Sequence, residues 1–307
     1  MPPTAPRRLL LTGATGFVGS ALLDPLCARG FDVHAVARST PGTAPHDGVT
    51  WHEADLLEED AARALVRDVR PEVLVHAAWY VSHGKFWTAP ENEAWVEAST
   101  ALGAAFAEAG GCRLIGLGTC AEYADAAGEG DGRPWPEDRP IDPTTPYGRA
   151  KARLAARWLA VPSLSVAWAR IFHLFGPGEA PARLVPSVAR ALLAGEEAAC
   201  ASGRPVRDFC STAYLGRAIA ALAAGDATGP VNTASGEAIA IRHLVALIGE
   251  LTGRGELIRL GGLPDRPNEV PFQVADTTRL RRDAGFAERA DLRGDLARLL
   301  DHLRAAA

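Results

Sequence analysis

The sequence predicts an α/β fold, with a doubly wound parallel sheet followed by a smaller C-terminal α/β lobe. Up to about residue 172, short runs rich in valine, leucine and isoleucine alternate with longer runs rich in alanine and leucine. This is the pattern of strands joined by crossover helices. The first such strand is followed at once by a turn with three glycines, and beyond about residue 172 proline- and glycine-rich turns separate shorter elements. We therefore predict a first domain over residues 1–172 and a second lobe over residues 173–307.

Strands and helices alternate throughout the predicted first domain. The strands are predicted at residues 7–13, 31–38, 49–56, 72–79, 112–119 and 163–172. The helices are predicted at residues 17–30, 57–69, 91–110 and 145–160. The run at 72–79 is largely apolar, which is typical of a strand buried on both faces of a parallel sheet. The helix at 57–69 carries acidic residues in its first turn, where the positive end of the helix dipole favours them.

Composition and charge narrow the class of protein. The chain has 307 residues, of which 48% are hydrophobic and 22% charged, as in ordinary soluble globular proteins. Its net charge of −5 offers no basic surface to nucleic acid. No apolar run reaches the roughly 18 residues of a membrane span, and the N-terminus lacks a signal-peptide core. The five cysteines show no CxxC pair and no metal-ligand spacing, which indicates a reducing compartment and no metal site. We expect a cytoplasmic protein without nucleic-acid or membrane partners.

The glycine turn after the first strand predicts a dinucleotide site of the Rossmann type. Gly13, Gly16 and Gly19 lie between the first predicted strand and the first predicted helix. One glycine permits the tight turn, another lets the backbone approach a pyrophosphate, and the third lets helix and strand pack closely. The amides at the start of the helix then face the anion. The residues that complete this predicted cradle are Thr15, Phe17 and Val18.

The ends of the second and third strands bear on which dinucleotide is bound. An NAD site usually presents Asp or Glu to the ribose hydroxyls after the second strand. Arg38 is found in this region instead, and a guanidinium can pair with a 2′-phosphate, so NADP(H) is the preferred cofactor and NAD(H) the alternative. A solvated surface arginine is the other interpretation. Asp55 either accepts a hydrogen bond from the adenine amino group or caps the next helix. Ser39 and Leu56, each the next residue along the chain, complete the predicted adenosine pocket.

A tyrosine and a lysine one helical turn apart form the predicted catalytic pair. The chain has only two lysines, Lys85 and Lys151, and Lys151 follows Tyr147 by four positions. Side chains so spaced lie on one face of a helix, about 5–6 Å apart. An adjacent ammonium should lower the pKa of the phenol and bring it nearer to what proton transfer requires. Thr119, at the end of the preceding strand, can donate to the carbonyl oxygen that Tyr147 protonates. The alternative is a surface lysine beside a half-buried tyrosine.

These motifs resemble those of the extended short-chain dehydrogenase/reductase family, the NAD(P)-dependent sugar-nucleotide epimerases, dehydratases and ketoreductases. The resemblance covers nearly the whole chain. TGATGFVG is similar to the family's cofactor motif, HAA at 76–78 to its fourth-strand motif, and Thr119 with Tyr147 and Lys151 to its catalytic triad. ARIFHLFGPG at 169–178 resembles the Arg-x-x-Asn-x-Tyr-Gly-Pro segment, with His173 in place of Asn and Phe175 in place of Tyr. The further predicted cofactor contacts are Ala77, Ala78, Tyr147, Lys151, Ile171 and His173, and the Lys151 ammonium can bind a ribose hydroxyl.

In the second lobe, the resemblance implies a nucleoside-diphosphate sugar as substrate. RLVP at 183–186 is similar to the segment whose first two residues, here Arg183 and Leu184, hold the diphosphate and the base. By the same resemblance, Arg207 in RDF clasps the diphosphate and Arg266 in DRPNEVP reaches the nucleotide. Dimers through the helices at 91–110 and 145–160 are common in this family, so a homodimer is expected.

Departures from the family's motifs favour one reaction. The 4,6-dehydratases carry an Asp-Glu pair directly after the triad threonine, where this chain has Cys120 and Ala121. A 4-ketoreductase needs only hydride, tyrosine, lysine and threonine. Reduction of a nucleotide-linked 4-keto-6-deoxy sugar is therefore the predicted reaction, with a nucleotide-sugar epimerase on the same scaffold as the alternative. A non-catalytic dinucleotide sensor is a third interpretation, which would have no use for Tyr147 and Lys151.

Several residues near the reacting centre carry two interpretations each. Glu122 either contacts a sugar hydroxyl or acts as a base, or it is an exposed acid on a loop. The loop at 79–87 either contacts the substrate or is a packed lid or dimer contact. The predicted substrate contacts in this region are Trp79, His83, Lys85, Cys120, Glu122, Tyr147 and His173. Three further tryptophans are expected to pack in the core or on the surface: Trp135, Trp158 and Trp168.

Overall fold

The chain alternates strands and helices in a computed structural model that describes residues 6–39, 46, 48–124, 132–267 and 269–306. The strands are β1 (Arg8–Thr12), β2 (Asp32–Ala37), β3 (Val49–Glu53), β4 (Val73–His76), β5 (Arg113–Thr119), β6 (Ser165–Ile171), β7 (His173–Phe175), β8 (Ala198–Cys200), β9 (Val206–Ser211), β10 (Gly229–Thr233), β11 (Ala238–Ala240), β12 (Ile258–Leu260) and β13 (Phe272–Gln273). The helices are α1 (Leu23–Ala28), α2 (Glu59–Val69), α3 (Glu91–Glu108), α4 (Pro146–Leu159), α5 (Leu184–Ala194), α6 (Thr212–Ala224), α7 (Ile241–Thr252), α8 (Thr278–Arg282) and α9 (Leu292–Ala305).

The main sheet confirms the predicted doubly wound parallel fold. Its seven strands follow the order β3-β2-β1-β4-β5-β6-β10, and every neighbouring pair is parallel. The order reverses direction at β1, which pairs with β2 on one side and β4 on the other. In open α/β sheets, a crevice for ligands forms outside the carboxyl ends of the strands at such a reversal.

Helices cover both faces of the main sheet. Alternate residues of each strand point to opposite faces, so each strand contributes to two apolar clusters. Leu9 and Leu11 of β1 are buried in a cluster that includes residues of α1 and α6. Leu10 is buried on the other face, in a cluster with residues of α2, α3 and α4. The central strand β4 is buried at all four residues, as the largely apolar run at 72–79 predicted.

The first helix is shorter than predicted. Residues Gly19–Leu22 form a 3-10 turn, and α1 begins only at Leu23. Pro25 explains the late start, because it has no N–H to donate to the carbonyl of Ala21 four positions earlier. The predicted helix over 17–30 is therefore wrong in its first half, and the glycine turn leads into a 3-10 turn.

The second lobe is built on its own small sheets. β9 pairs with β7, β11 and β13, and β8 pairs with β12. A separate apolar cluster fills this lobe between α5, α7 and α9, with Val188, Leu244 and Leu299 among its buried members.

The predicted boundary after residue 172 does not separate the two lobes in space. β10 returns to the main sheet beside β6, and α6 packs against the sheet with Leu215 and Ile219. Local composition could not show this, because the return depends on pairing between residues about 60 positions apart along the chain, such as Val231 and Ala169.

Two observations on the described part of the chain bear on the composition-based expectations. No helix in it combines the length and the apolar character needed to cross a membrane. The same residues contain no group of three or more His, Cys, Asp and Glu side chains arranged to hold a metal ion.

Candidate active site

A cavity of about 1230 Å³ opens at the carboxyl ends of the main-sheet strands and extends to the second lobe. Most of the predicted site residues line it. They are Gly13, Thr15, Gly16, Phe17, Val18, Gly19, Arg38, Asp55, Leu56, Ala77, Ala78, Trp79, His83, Thr119, Cys120, Tyr147, Lys151, Ile171, His173, Arg183, Arg207 and Arg266. The fold thus brings the predicted cofactor, catalytic and substrate residues to one connected space.

Four predicted contacts lie outside the lining of this cavity. Ser39 and Lys85 have exposed side chains. Leu184 begins α5 and packs against the apolar cluster of the second lobe. Glu122 is fully buried beneath the cavity wall. Core packing takes the side chains of Leu184 and Glu122 away from the cavity. Ser39 and Lys85 stay predictions, because an exposed side chain next to a lining residue can still reach a ligand.

The glycine turn packs closely against the protein backbone at the ends of β1 and β4. Gly13 has φ of +67°, and a Cβ there would lie 2.7 Å from the amide nitrogen of Ala78. A Cβ on Gly19 would lie 2.0 Å from the carbonyl oxygen of Gly13. Thr12 Oγ1 accepts hydrogen bonds from the amides of Ala77 and Ala78 at 3.1 and 3.2 Å, which fixes the ends of β1 and β4 together. A side chain at either glycine would break this turn, so the residues present fit a dinucleotide cradle.

The adenosine end of the cavity contains one cation and one acid from the predicted set. Arg38 lines the cavity and has an exposed side chain, so its guanidinium is accessible to a ligand. Asp55 also lines the cavity, and its Oδ1 accepts a hydrogen bond from the amide of Leu57 at 3.0 Å. Asp55 thus stabilises the turn before α2 but does not cap that helix, whose N-cap is Glu58. The predicted contact with adenine stays a prediction.

The backbone around Tyr147 is fixed by the start of α4. Thr145 caps this helix by accepting from the amide of Gly148 at 3.1 Å, and Pro146 occupies its first position. The amide of Tyr147 donates to the carbonyl of Trp87 at 3.1 Å. The Tyr147 ring meets the rings of Phe86 and Trp87 edge-on, with centroid distances of 4.9 and 5.6 Å. The phenol is thus held between the helix start and the 79–87 loop.

Lys151 is almost completely buried, with 4% of its surface exposed. Its Nζ donates to the carbonyl of Leu117 at 2.8 Å and lies 3.9 Å from the centroid of the Trp79 ring. Burial lowers the pKa of Lys151 to about 7, against a partial opposing effect of the Glu122 charge. An amine with such a pKa can change its protonation state near neutral pH.

The predicted lowering of the phenol pKa is wrong for the ligand-free protein. Burial is the main cause that raises the pKa of Tyr147 above its usual value, and the negative charge of Glu122 adds to it. A hydrogen bond with Thr119 lowers this pKa only in part. The Lys151 ammonium instead interacts with Leu117 and Trp79. Tyr147 is therefore held in its protonated form, as a proton donor.

Glu122 is a structural anchor for the strand end that carries Thr119. Its carboxylate accepts hydrogen bonds from the amide of Thr119 at 2.8 Å, from Trp168 Nε1 at 2.9 Å and from Arg170 Nε at 2.9 Å. Both oxygens are used, since Trp168 also lies 3.0 Å from the second one. Thr119 in turn accepts from the amide of Ala121 at 3.2 Å, which completes a capping box. Neither interpretation made from the sequence, a sugar contact or an exposed acid, describes this residue.

Two of the predicted arginines in the second lobe form ion pairs inside the cavity. Arg183 Nε lies 2.8 Å from Oε1 of Glu179, and Arg207 Nη2 lies 3.0 Å from Oε1 of Glu269. Arg266 has an exposed side chain at the same end. Three cations of the second lobe therefore line one end of the cavity, which suits a diphosphate.

His173 is neutral at this end of the cavity. Burial is the main cause that lowers its pKa to about 4, and the positive charge of Arg207 adds to the effect. Its Nε2 donates to Oε1 of Gln273, 2.7 Å away. The histidine that replaces the usual asparagine therefore offers a hydrogen-bonding edge without charge.

Sequence reasoning missed several cavity residues. Glu179, Glu269 and Gln273 come from loops and a short strand with no periodic signal, and the only pointer to Glu179 was its place directly after the GPG of the 169–178 motif. Burial raises the pKa of Glu179 to about 7, and its Oε2 has no hydrogen-bond partner among the described residues. Phe86, Trp87 and Trp95 were missed as well, although the first two belong to the predicted aromatic loop.

Comparison with known proteins shows the family of the chain. The model of the NAD dependent epimerase/dehydratase family matches residues 9–234. The chain belongs to this family. It is thus a member of an NAD(P)-dependent enzyme family that modifies nucleotide sugars.

Relatives within the family carry out different reactions. The dTDP-6-deoxy-L-talose 4-dehydrogenase (NAD(P)(+)) of Kitasatospora kifunensis is 31% identical, over 95% of this chain and 94% of the relative. The UDP-glucose 4-epimerase of Mycolicibacterium smegmatis is 27% identical, over 90% of each chain. The solved structure of MoeE5 in complex with UDP-glucose and NAD is 29% identical with a TM-score of 0.81, over 98% of this chain and 99% of that one.

Proposed function

We propose that the protein reduces the 4-keto group of a nucleotide-linked 6-deoxy sugar to a hydroxyl, with NADPH as the preferred reductant. One observation supports this above all. Thr119, Tyr147 and Lys151 line the same cavity as the glycine cradle and the arginines of the second lobe. A relative named as a 4-dehydrogenase of a dTDP-6-deoxy sugar supports the choice of carbon and sugar class.

The chemistry requires one hydride and one proton. Reduced nicotinamide, when bound, supplies the hydride to C4 of the sugar. Tyr147 gives the phenolic proton to the carbonyl oxygen, and its raised pKa keeps that proton in place until charge develops on the oxygen. Thr119 donates a second hydrogen bond to the same oxygen, which stabilises the developing negative charge. Protonated Lys151 stabilises the resulting phenolate until water returns a proton to it.

The substrate is held at its nucleotide end by the second lobe. Arg183, Arg207 and Arg266 are placed to bind a diphosphate, and a guanidinium fork suits phosphate oxygens. Glu179 and Glu269 form ion pairs with Arg183 and Arg207, which hold the two guanidinium groups in the cavity wall. Binding at this end places the sugar beside Tyr147.

The preference for NADPH depends on Arg38. Its exposed guanidinium stands at the end of β2, where NAD enzymes usually present a carboxylate. A 2′-phosphate would form a charge-assisted hydrogen bond with Arg38. NADH is the alternative reductant.

A nucleotide-sugar epimerase is the second candidate, favoured by the similarity to a UDP-glucose 4-epimerase. It would use the same residues but would oxidise and reduce C4 in turn, with no net consumption of cofactor. Elimination of water, as in a dehydratase, is disfavoured. Cys120 and Ala121 follow Thr119 where dehydratases carry acids, and the nearest acid, Glu122, is buried in ion-pair contact with Arg170.

The test mixes purified protein with NADPH or NADH and a panel of dTDP-, CDP-, GDP- and UDP-linked 4-keto-6-deoxy sugars. We expect stoichiometric loss of nicotinamide absorbance with at least one of them, faster with NADPH. Conversion of a 4-hydroxy nucleotide sugar to its C4 epimer without cofactor consumption would establish the epimerase instead. No turnover of either kind would reject both.

A further inference from the structure

The Trp79 ring lies directly against the ammonium group of Lys151. The Nζ atom is 3.9 Å from the ring centroid, well within the distance at which an indole face attracts a cation. Trp79 itself is buried. The sequence predicted Trp79 as a substrate contact, and the structure shows that one face of its indole is occupied by Lys151.

Asn92 fixes the indole in this place. Trp79 Nε1 donates to Asn92 Oδ1 at 2.8 Å, and Asn92 Nδ2 donates to the carbonyls of Phe86 and Ala89 at 2.7 and 2.9 Å. Asn92 is 1% exposed, so no water competes for these bonds. The end of the 79–87 loop, the start of α3 and the indole are therefore locked together, and the ring cannot turn away from the lysine without breaking buried hydrogen bonds.

Few other groups are placed to stabilise the charge on Lys151. Among the titratable groups near it, Glu122 from the turn after β5 favours the ammonium, and burial opposes it. His76 of β4 is neutral at pH 7, because burial and the Lys151 charge lower its pKa to about 3. Tyr147 of α4 is protonated. The Leu117 carbonyl and the Trp79 face are then the groups in direct contact that favour the charged amine.

We propose that Trp79 is a positioning residue for the catalytic lysine: its indole face, held by Asn92, keeps the Lys151 ammonium charged and directed at the cavity. This inference rests on the catalytic role of Lys151 in the proposed function. It gives the aromatic loop at 79–87 a part in the chemistry, which it plays by positioning the lysine.

The lysine content of the chain permits a direct test without substrate. Protein labelled with 13C at lysine Cε should give two signals, one from exposed Lys85 and one from buried Lys151. In Trp79→Leu, which keeps an apolar side chain but removes the ring, the titration midpoint of Lys151 should fall by about one pH unit. In Trp79→Phe, whose face attracts cations less strongly, it should fall by about half as much. The Lys151 signal should also lose the indole ring-current shift in both variants.

Two controls accompany the titration. Lys85 should keep its midpoint in every variant. Trp135→Phe changes a tryptophan that is also buried but packs on Tyr123, Phe172 and Arg139, so the Lys151 midpoint should stay as in the wild type.

An unchanged Lys151 midpoint in Trp79→Leu would overturn the proposal. If that variant does not fold, Trp79→Phe decides in the same way, because an unchanged midpoint there would also overturn it. Since the titration needs no sugar, it separates this inference from the proposed reaction. Where a substrate is found, the apparent pKa in the pH dependence of kcat that reports Lys151 should shift together with the NMR midpoint.

Discussion

Tyr147 and Lys151 carry pKa shifts that share their largest cause, which is burial. Each side chain is withdrawn from water at the wall of the cavity, and desolvation disfavours whichever form is charged. The pKa of the phenol rises and that of the amine falls to about 7. Both shifts favour neutral side chains in the ligand-free protein, so the ammonium that stabilises a phenolate must be maintained by local contacts.

Tyr147→Phe should lower kcat by about 10²–10⁴-fold, because the variant lacks the proton that the carbonyl oxygen must receive. The dissociation constant for NADPH should stay within about twofold, since the phenol proton is not needed to bind the dinucleotide. Tyr214→Phe is the matched control. It removes a buried hydroxyl whose acceptors, the carbonyls of Ala234 and Glu288, lie 3.4 Å away, and it should keep its activity. Retention of activity by Tyr147→Phe would remove this residue from the mechanism.

Arg38 should decide the preference for NADPH over NADH. Arg38→Ala should weaken NADPH binding by about 10- to 100-fold, because a charge-assisted hydrogen bond to the 2′-phosphate is lost. NADH binding should change less than about threefold, which makes NADH the internal control. Fluorescence titration of both cofactors measures this, and equal losses would show that Arg38 does not contact the 2′-phosphate.

The element that matters most for the site is the short turn after β5. Residues Cys120–Glu122 form a 3-10 turn capped by Thr119, and Glu122 fastens this turn to Trp168 and Arg170 of β6. The position of Thr119 is thus set by a neighbouring strand as well as by its own. Glu122 and Arg170 form a buried ion pair. Removing one partner is costly, because the other charge then stays buried without a counter-charge.

Glu122→Gln should therefore lower the free energy of unfolding by about 3 kcal/mol, as the Arg170 guanidinium loses its counter-charge in the core. Chemical denaturation followed by tryptophan fluorescence measures this. Glu59→Gln is the control, since Glu59 pairs with Arg63 at 3.1 Å on the exposed surface of α2. That change should be barely measurable. Equal effects of the two substitutions would contradict the anchoring role of Glu122.

At the scale of the whole molecule, the cavity of the candidate site is built from both lobes. The first lobe provides the glycine turn together with Thr119, Tyr147 and Lys151, while the second lobe provides Arg183, Arg207 and Arg266. β10 and α6 return to the main sheet from within the second half, so the two lobes share structure and do not simply follow one another along the chain.

This arrangement predicts that the two halves of the ligand stabilise the protein separately. In thermal unfolding, NADPH and a nucleoside diphosphate such as dTDP or UDP should each raise Tm. Arg207→Ala should abolish most of the shift caused by the nucleoside diphosphate and leave the NADPH shift, each measured against the variant without ligand. Arg259→Ala, which removes an exposed arginine paired with Glu197 at 2.6 Å, should keep both shifts. Loss of the NADPH shift in Arg207→Ala would contradict the division of the cavity.

The amino-acid sequence by itself determined the features that depend on residues close together along the chain. The alternation of strands and helices, the glycine spacing and the Tyr147–Lys151 interval each involve residues within a few positions of one another, and the parallel sheet and shared cavity follow from them. Tertiary structure alone decided which groups surround each side chain. Glu122 binds Arg170 of the next strand, Lys151 binds Trp79, and β10 rejoins the main sheet. Such contacts set burial, charge and pKa, and they join residues that local patterns cannot relate because the chain between them is long.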